Sequence, residues 1–172
     1  MIWKNAFSLI SPVCVLALAL FLACSSAKDS SKFAAAAAQG GMTEVELGRL
    51  ALQRATDSSV KEFGQRMVTD HTAANAELKL IAARKNIQVP TEVSSDQKSM
   101  IDKLSKLSGA EFDKEYMSDM VKDHEEDVKD FQTQGNEGTD SDIKAFAAKT
   151  LPTLQGHLQM ARDAAKKVGA NL

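Results

Sequence analysis

Thiols, prolines and aromatic rings are scarce in this chain of 172 residues, which has two cysteines, three prolines, one tryptophan and one tyrosine. Both cysteines, Cys14 and Cys24, lie near the N-terminus. The rest of the chain therefore has no disulfide, no thiolate metal site and no cysteine nucleophile. After Pro12, proline occurs only at Pro90 and Pro152, which leaves long stretches free to be helical. No sign of charge dominates either: 21 basic residues stand against 23 acidic ones, so nothing suggests a nucleic-acid partner. Ser-His-Asp order, a Gly-rich phosphate loop and the HExxH pattern are all missing, which makes an enzyme the least favoured reading.

What is present starts with an export signal. Lys4 is the only charge before an apolar run from Ala6 to Ala23. One base, an apolar stretch and a small exit residue read as a secretory signal peptide over residues 1–23. A retained membrane helix is the alternative, since the run nearly spans a bilayer, but no basic stop-transfer cluster follows. Phe21-Leu22-Ala23-Cys24 resembles a bacterial lipobox, in which cleavage before the cysteine accompanies its lipidation. Cys24 is thus the expected lipid anchor, with the membrane as partner. Ordinary cleavage to a soluble periplasmic protein is the other outcome. Ser25 behind a lipidated cysteine implies the outer membrane, on the periplasmic side of the bacterial envelope. Residues 24–32 then form the lipidated cysteine and a Ser-, Lys- and Asp-rich flexible tether, and 33–172 one domain with a sizeable core.

Beyond the tether Ala, Leu, Lys, Glu and Asp dominate, which argues for helices. Helical patterns cover about 33–55, 59–85, 110–132 and 140–168. Gly40-Gly41 interrupts the first and predicts a kink or a close helix contact. Val60, Phe63, Met67, Ala74, Leu78 and Ile81 form the apolar stripe of the second, with Asp57 or Ser58 as its N-cap. Phe112, Tyr116, Met120, Val121, Val128 and Phe131 face inward on the third. Ile143, Phe146, Leu154, Leu158, Ala161 and Val168 do so on the fourth, where Pro152 predicts a kink or a loosened turn and Gly169 a C-terminal stop. Short turns make the first and last pairs antiparallel neighbours. The longer 86–109 stretch carries a lesser helical pattern with Met100, Ile101, Leu104 and Leu107. The predicted fold is all-α: a ferritin-like four-helix bundle, two helical hairpins joined by a crossover with a short extra helix.

One feature looks chemical. Lys61-Glu62-Phe63-Gly64-Gln65-Arg66-Met67-Val68-Thr69-Asp70-His71 is echoed by Lys114-Glu115-Tyr116-Met117-Ser118-Asp119-Met120-Val121-Lys122-Asp123-His124. The chain has three histidines, and His71, His124 and His157 all face or border the predicted core. On the first helix Glu44 shares a face with Gly48, Ala51 and Ala55, whereas Glu46 lies beside Arg49 and Gln53. A rise of about 1.5 Å per residue puts Glu44, His71 and His124 at one depth and His157 one to two turns away from His124. The candidate metal site is Glu44, His71 and His124, holding one transition-metal ion, with Asp70, Asp123 and His157 as completions or outer partners. A methionine sits a turn from each histidine (Met67, Met120, Met160), a soft donor set that suits cuprous copper. Core filling is the stronger explanation of those methionines, and a purely structural His/acid network explains the histidines as well as a metal does.

Several segments together resemble a bacterial family known as domain of unknown function 4142. They are Phe33 with the alanine run, Thr43-Glu44-Val45-Glu46-Leu47-Gly48, Met67-Val68-Thr69-Asp70-His71, Gly109-Ala110-Glu111-Phe112-Asp113 with Tyr116, His124, and Leu151-Pro152-Thr153-Leu154 with His157. The resemblance covers nearly all of the mature chain and implies an exported four-helix bundle grouped with ferritin-like folds, without an established activity. Di-iron carboxylate bundles carry Glu-x-x-His on two helices. Here Val68, Val121 and Leu154 stand three residues before the histidines, which argues against ferroxidase chemistry. Two functions remain: an envelope lipoprotein that binds metal for buffering or stress sensing, or a non-catalytic structural or interaction module of the envelope.

Overall fold

The computed structural model describes the backbone from Val13 and the side chains from Ser30 to Leu172. The expected signal peptide and the Cys24 lipidation site fall outside the described side chains. Five α-helices make up the described chain: α1 (Val13–Arg54), α2 (Ser58–Lys85), α3 (Ser95–Ser105), α4 (Gly109–Glu137) and α5 (Ser141–Val168). The expected all-α class holds. The backbone of residues 25–32, where composition predicted a flexible tether, is part of α1. None of the described helices is long and apolar enough to cross a membrane.

Local chemistry sets the ends. Asp57 caps α2 through Ser59 N–H, and Asp140 caps α5 through Asp142 and Ile143. A reciprocal Ser94–Gln97 capping box starts α3. Asn86 and Gly169 end α2 and α5 in the left-handed conformation, at φ 54° and 67°. Pro152 leaves α5 continuous, so the expected interruption amounts to one missing N–H donor.

Three polar ties define the topology. The Asp113 carboxylate, near the start of α4, accepts Thr56 N–H at 3.1 Å, Asp57 N–H at 2.9 Å and the Thr56 hydroxyl at 2.7 Å. Lys167, in the last turn of α5, reaches Asp57 at 2.9 Å. The α1–α2 turn, the start of α4 and the end of α5 therefore share one end of the molecule. At the other end Lys85 of α2 bridges Asp140 and Asp142 at the start of α5, each at 3.1 Å. It follows that α2 and α4 run one way, and α1 and α5 the other. The 86–108 segment returns the chain from one end to the other.

Helix α1 packs on α2, α4 on α5, α2 on α5 and α1 on α4, and α3 lies against α1 and α4. The hairpin seams are tight. A Cβ on Gly48 would lie 2.6 Å from the Gly64 carbonyl oxygen, and one on Gly64 2.8 Å from the Ala51 Cβ. Gly41 abuts Asn75, which bears out a close contact at the glycine pair, whereas Gly40 has open space beside it.

Two apolar clusters fill the interior. One, near the α1–α2 turn, holds Leu47, Phe63, Met67, Phe112, Tyr116, Met120 and Ala161. The other, towards the opposite end, holds Ala38, Leu78, Phe131, Ile143, Phe146 and Leu154. On every long helix the residue between the two clusters is polar: Glu44, His71, His124 and His157, all buried.

Candidate metal centre

That polar layer takes one side chain from each of four helices. Period 3.6 puts each on its helix's core face, a turn or two from apolar neighbours that are themselves buried. The ring centroids of His71, His124 and His157 stand 6.0, 5.4 and 5.5 Å apart pairwise. One donor atom of each lies within 4.8 Å of the others. Glu44 completes the layer, with Oε2 2.8 Å from His71 Nδ1 and Oε1 3.3 Å from His124 Nε2.

Two of the rings have one nitrogen anchored and one left over. His124 Nδ1 lies 2.9 Å from the Met120 carbonyl, which can only accept, so Nδ1 carries the proton. His157 Nε2 donates to Asp70 Oδ2 at 2.8 Å. His71 Nδ1 faces Glu44. The other nitrogens, His71 Nε2, His124 Nε2 and His157 Nδ1, are buried with no hydrogen-bond partner, whereas the Glu44 carboxyl has that of Asp123 within hydrogen-bonding reach. Metal-ligating imidazoles show this division: one N–H held by a carboxylate or carbonyl, the other nitrogen aimed at the ion. Ligand atoms of a tetrahedral site with bonds of about 2.1 Å lie roughly 3.4 Å apart. The Glu44–His124 separation already matches, and the three ring donors lie within 4.8 Å of one another.

Burial sets the charge states. It pulls His71 down from 6.5 to about 4, and lowers His124 and His157 as well. All three rings are neutral at pH 7, the form that binds metals. Burial also pushes Glu44 up from 4.5 to about 8; His124 opposes this and Asp123 reinforces it. Asp123 is raised by burial too.

The structure brings Glu44, His71 and His124 together as expected. It corrects the position of His157, which joins the centre instead of lying one to two turns away from His124. The error was the end of α4, predicted near 132 but observed at Glu137. Gly135 does not stop the helix: its missing Cβ lets α4 approach Ala148 of α5, where a Cβ would lie 3.2 Å from the backbone nitrogen. Asp70 pairs across to His157 and lies outside the ring of donors. Asp123 sits on the other flank, in donor range of Glu44 and His124. Met67 and Met120 fill the apolar cluster beside the layer, and Met160 packs against it. Only the Met120 carbonyl has a shown role towards a histidine.

Two residues were missed. Asp127 follows His124 by three positions and Asp123 by four, and so shares their face. Burial, then Glu44 and Asp123, hold its carboxyl well above the usual range. Tyr116 is fully buried with an unpartnered hydroxyl, close enough to Glu44 for that charge to raise its pKa further. The Asp127 spacing was readable in the sequence; nothing there marked the Tyr116 hydroxyl as unpartnered.

Fold and centre define an all-helical bundle with a buried histidine–carboxylate layer that could hold a metal ion. The chain belongs to the family described as Domain of unknown function (DUF4142), whose model matches residues 22–164. No curated protein matches it. Among solved structures, the crystal structure of a DUF305 fragment from Deinococcus radiodurans aligns with a TM-score of 0.69 and 12% identity, covering 80% of this chain and 95% of that one. At that identity the likeness establishes the helical fold alone.

Proposed function

We propose that this protein is an envelope lipoprotein that binds one transition-metal ion through His71, His124, His157 and Glu44, and so buffers or senses metal on the periplasmic side of the outer membrane. The carrying observation is the set of buried, partnerless imidazole nitrogens beside a carboxylate. Three imidazole nitrogens and a carboxylate from four helices share one space, and each ring's other nitrogen faces an oxygen. A purely structural network would use its hydrogen-bonding capacity, because a buried polar atom left unpaired destabilises the fold by about 1–3 kcal/mol. Here the atoms left unpaired are those turned towards one another.

Imidazole with a carboxylate suits zinc, iron, nickel or cupric copper. The paired hairpins and the crossover support the ferritin-like classification, but Asp127 follows a histidine instead of a glutamate preceding it. That supports a mononuclear reading. Lipid attachment at Cys24 rests on the lipobox alone, and mass spectrometry of the mature N-terminus tests it. The metal reading is tested by elemental analysis of untagged protein isolated from its own envelope, followed by titration of the stripped protein with zinc and cobalt(II). About one equivalent is expected, lost in His71→Ala/His124→Ala. A protein that comes off metal-free, and whose melting temperature no metal raises, would leave a structural or interaction module instead.

A further inference from the structure

A groove borders the polar layer on one flank of the bundle. Between α2 and α5 lies a groove of about 700 Å³, with His71 and His157 in its wall, Asp70 and Arg66 on the α2 side, and Pro152 and Gly156 on the α5 side. Gly156 stands in mid-helix, where glycine is a poor choice, yet a Cβ there would meet nothing within 4 Å. Packing does not require this glycine, whereas a side chain there would project into the groove.

We infer that the α2–α5 groove is the loading port of the metal centre, through which a hydrated divalent cation reaches the histidines, and that Asp70 is its first protein ligand. The inference rests on the metal reading proposed above. Asp70 is suited to the role. Its Oδ2 holds His157 Nε2 at 2.8 Å, its side chain is a quarter exposed, and among the described residues the cation paired with it is Arg66, at 3.7 Å. Of the residues holding the three rings, Glu44 is fully buried and Met120 offers only a carbonyl. Among these, Asp70 presents a charged oxygen both to the groove and to a ring of the site. An arriving ion can trade water for the Asp70 carboxylate and then pass to the His157 and His71 nitrogens one ring deeper.

The test uses the mature, metal-free protein and cobalt(II), with binding followed by stopped-flow absorbance and affinity by equilibrium titration. Gly156→Phe and, independently, Thr153→Trp fill the groove from the exposed face of α5. Both are expected to slow cobalt association and dissociation at least tenfold while the dissociation constant changes less than threefold. Asp70→Asn keeps an acceptor for His157 but removes the charge, and should slow association three- to tenfold. Thr91→Phe, in a second groove between α1, α2 and the 86–94 segment, should leave the rate unchanged. Unaltered association in both groove-filling variants, with cobalt still bound at one equivalent, would overturn the port and leave the metal centre standing. No cobalt binding by the unsubstituted protein would remove both. A comparable slowing by Thr91→Phe would also overturn the port, because obstruction specific to α2–α5 would then not be the cause.

Discussion

Glu44→Gln separates a metal ligand from a structural carboxylate. Glu44 is fully buried, and its carboxyl is held at about 8 instead of 4.5, chiefly by burial. The neutral form is therefore the one the metal-free fold tolerates. Stability from this position is complete below pH 4.5 and drains away as pH rises towards 8. At about 1.4 kcal/mol per pH unit, the ionisable carboxyl destabilises the metal-free fold by roughly 1 kcal/mol at pH 5 and roughly 4 kcal/mol at pH 8. Glutamine has the shape of the neutral acid and cannot ionise. The variant should melt nearly with the parent at pH 5, and higher by about 10 °C at pH 8, since a domain of this size gains some 2–4 °C per kcal/mol. Its zinc or cobalt affinity should fall at least a hundredfold. Thermal unfolding by circular dichroism at the two pH values, with and without metal, reads both effects. The reasoning fails if Glu44→Gln loses more stability at pH 8 than at pH 5, because an ionised, well-bonded carboxylate would then be holding the core.

The other predictions concern acid, the helix seams and the topology. His71, held at about 4 by burial, lends stability that is present above pH 6.5 and lost as pH falls towards 4; His71→Gln should spare the metal-free protein about 3 kcal/mol at pH 4, read as a lower acid-unfolding midpoint. Gly48→Ala drives a Cβ against the Gly64 carbonyl and should destabilise by about 1–3 kcal/mol. It should also weaken metal binding, because it moves Glu44, one turn earlier, away from His71; urea unfolding and metal titration check the two halves. Asp113→Ala strips the acceptor from two backbone N–H groups and a hydroxyl at the α1–α2 turn. It should cost about 2–4 kcal/mol in urea unfolding while cobalt stoichiometry stays the same.

The fold was largely legible because helical period, capping residues and short turns are local properties. Val60, Phe63 and Met67 lie on one face whatever packs against them, and all three are buried. Glu44 stood out from Glu46 by the same reasoning, and Glu46 is exposed. Non-local facts stayed hidden. Gly135 looks like a stop when read alone, and continues α4 because Ala148 sits opposite. That misplaced boundary displaced His157 from the site. The ties of Asp70 to His157 and of Asp113 to the α1–α2 turn join residues 87 and 57 positions apart, and only the assembled bundle shows them. The echo around His71 and His124 acquires a physical meaning there: α2 and α4 run the same way, so equal offsets along them give equal depth.

The oxygens beside His124 and His157 also dictate which nitrogen of each is protonated, and they do so oppositely. The Met120 carbonyl holds His124 at Nδ1, whereas Asp70 holds His157 at Nε2. The two rings thus turn different lone pairs, one on ε and one on δ, into the same space. Nitrogen-15 chemical shifts of the empty protein should already display one ring of each tautomer, before any ion arrives to impose it.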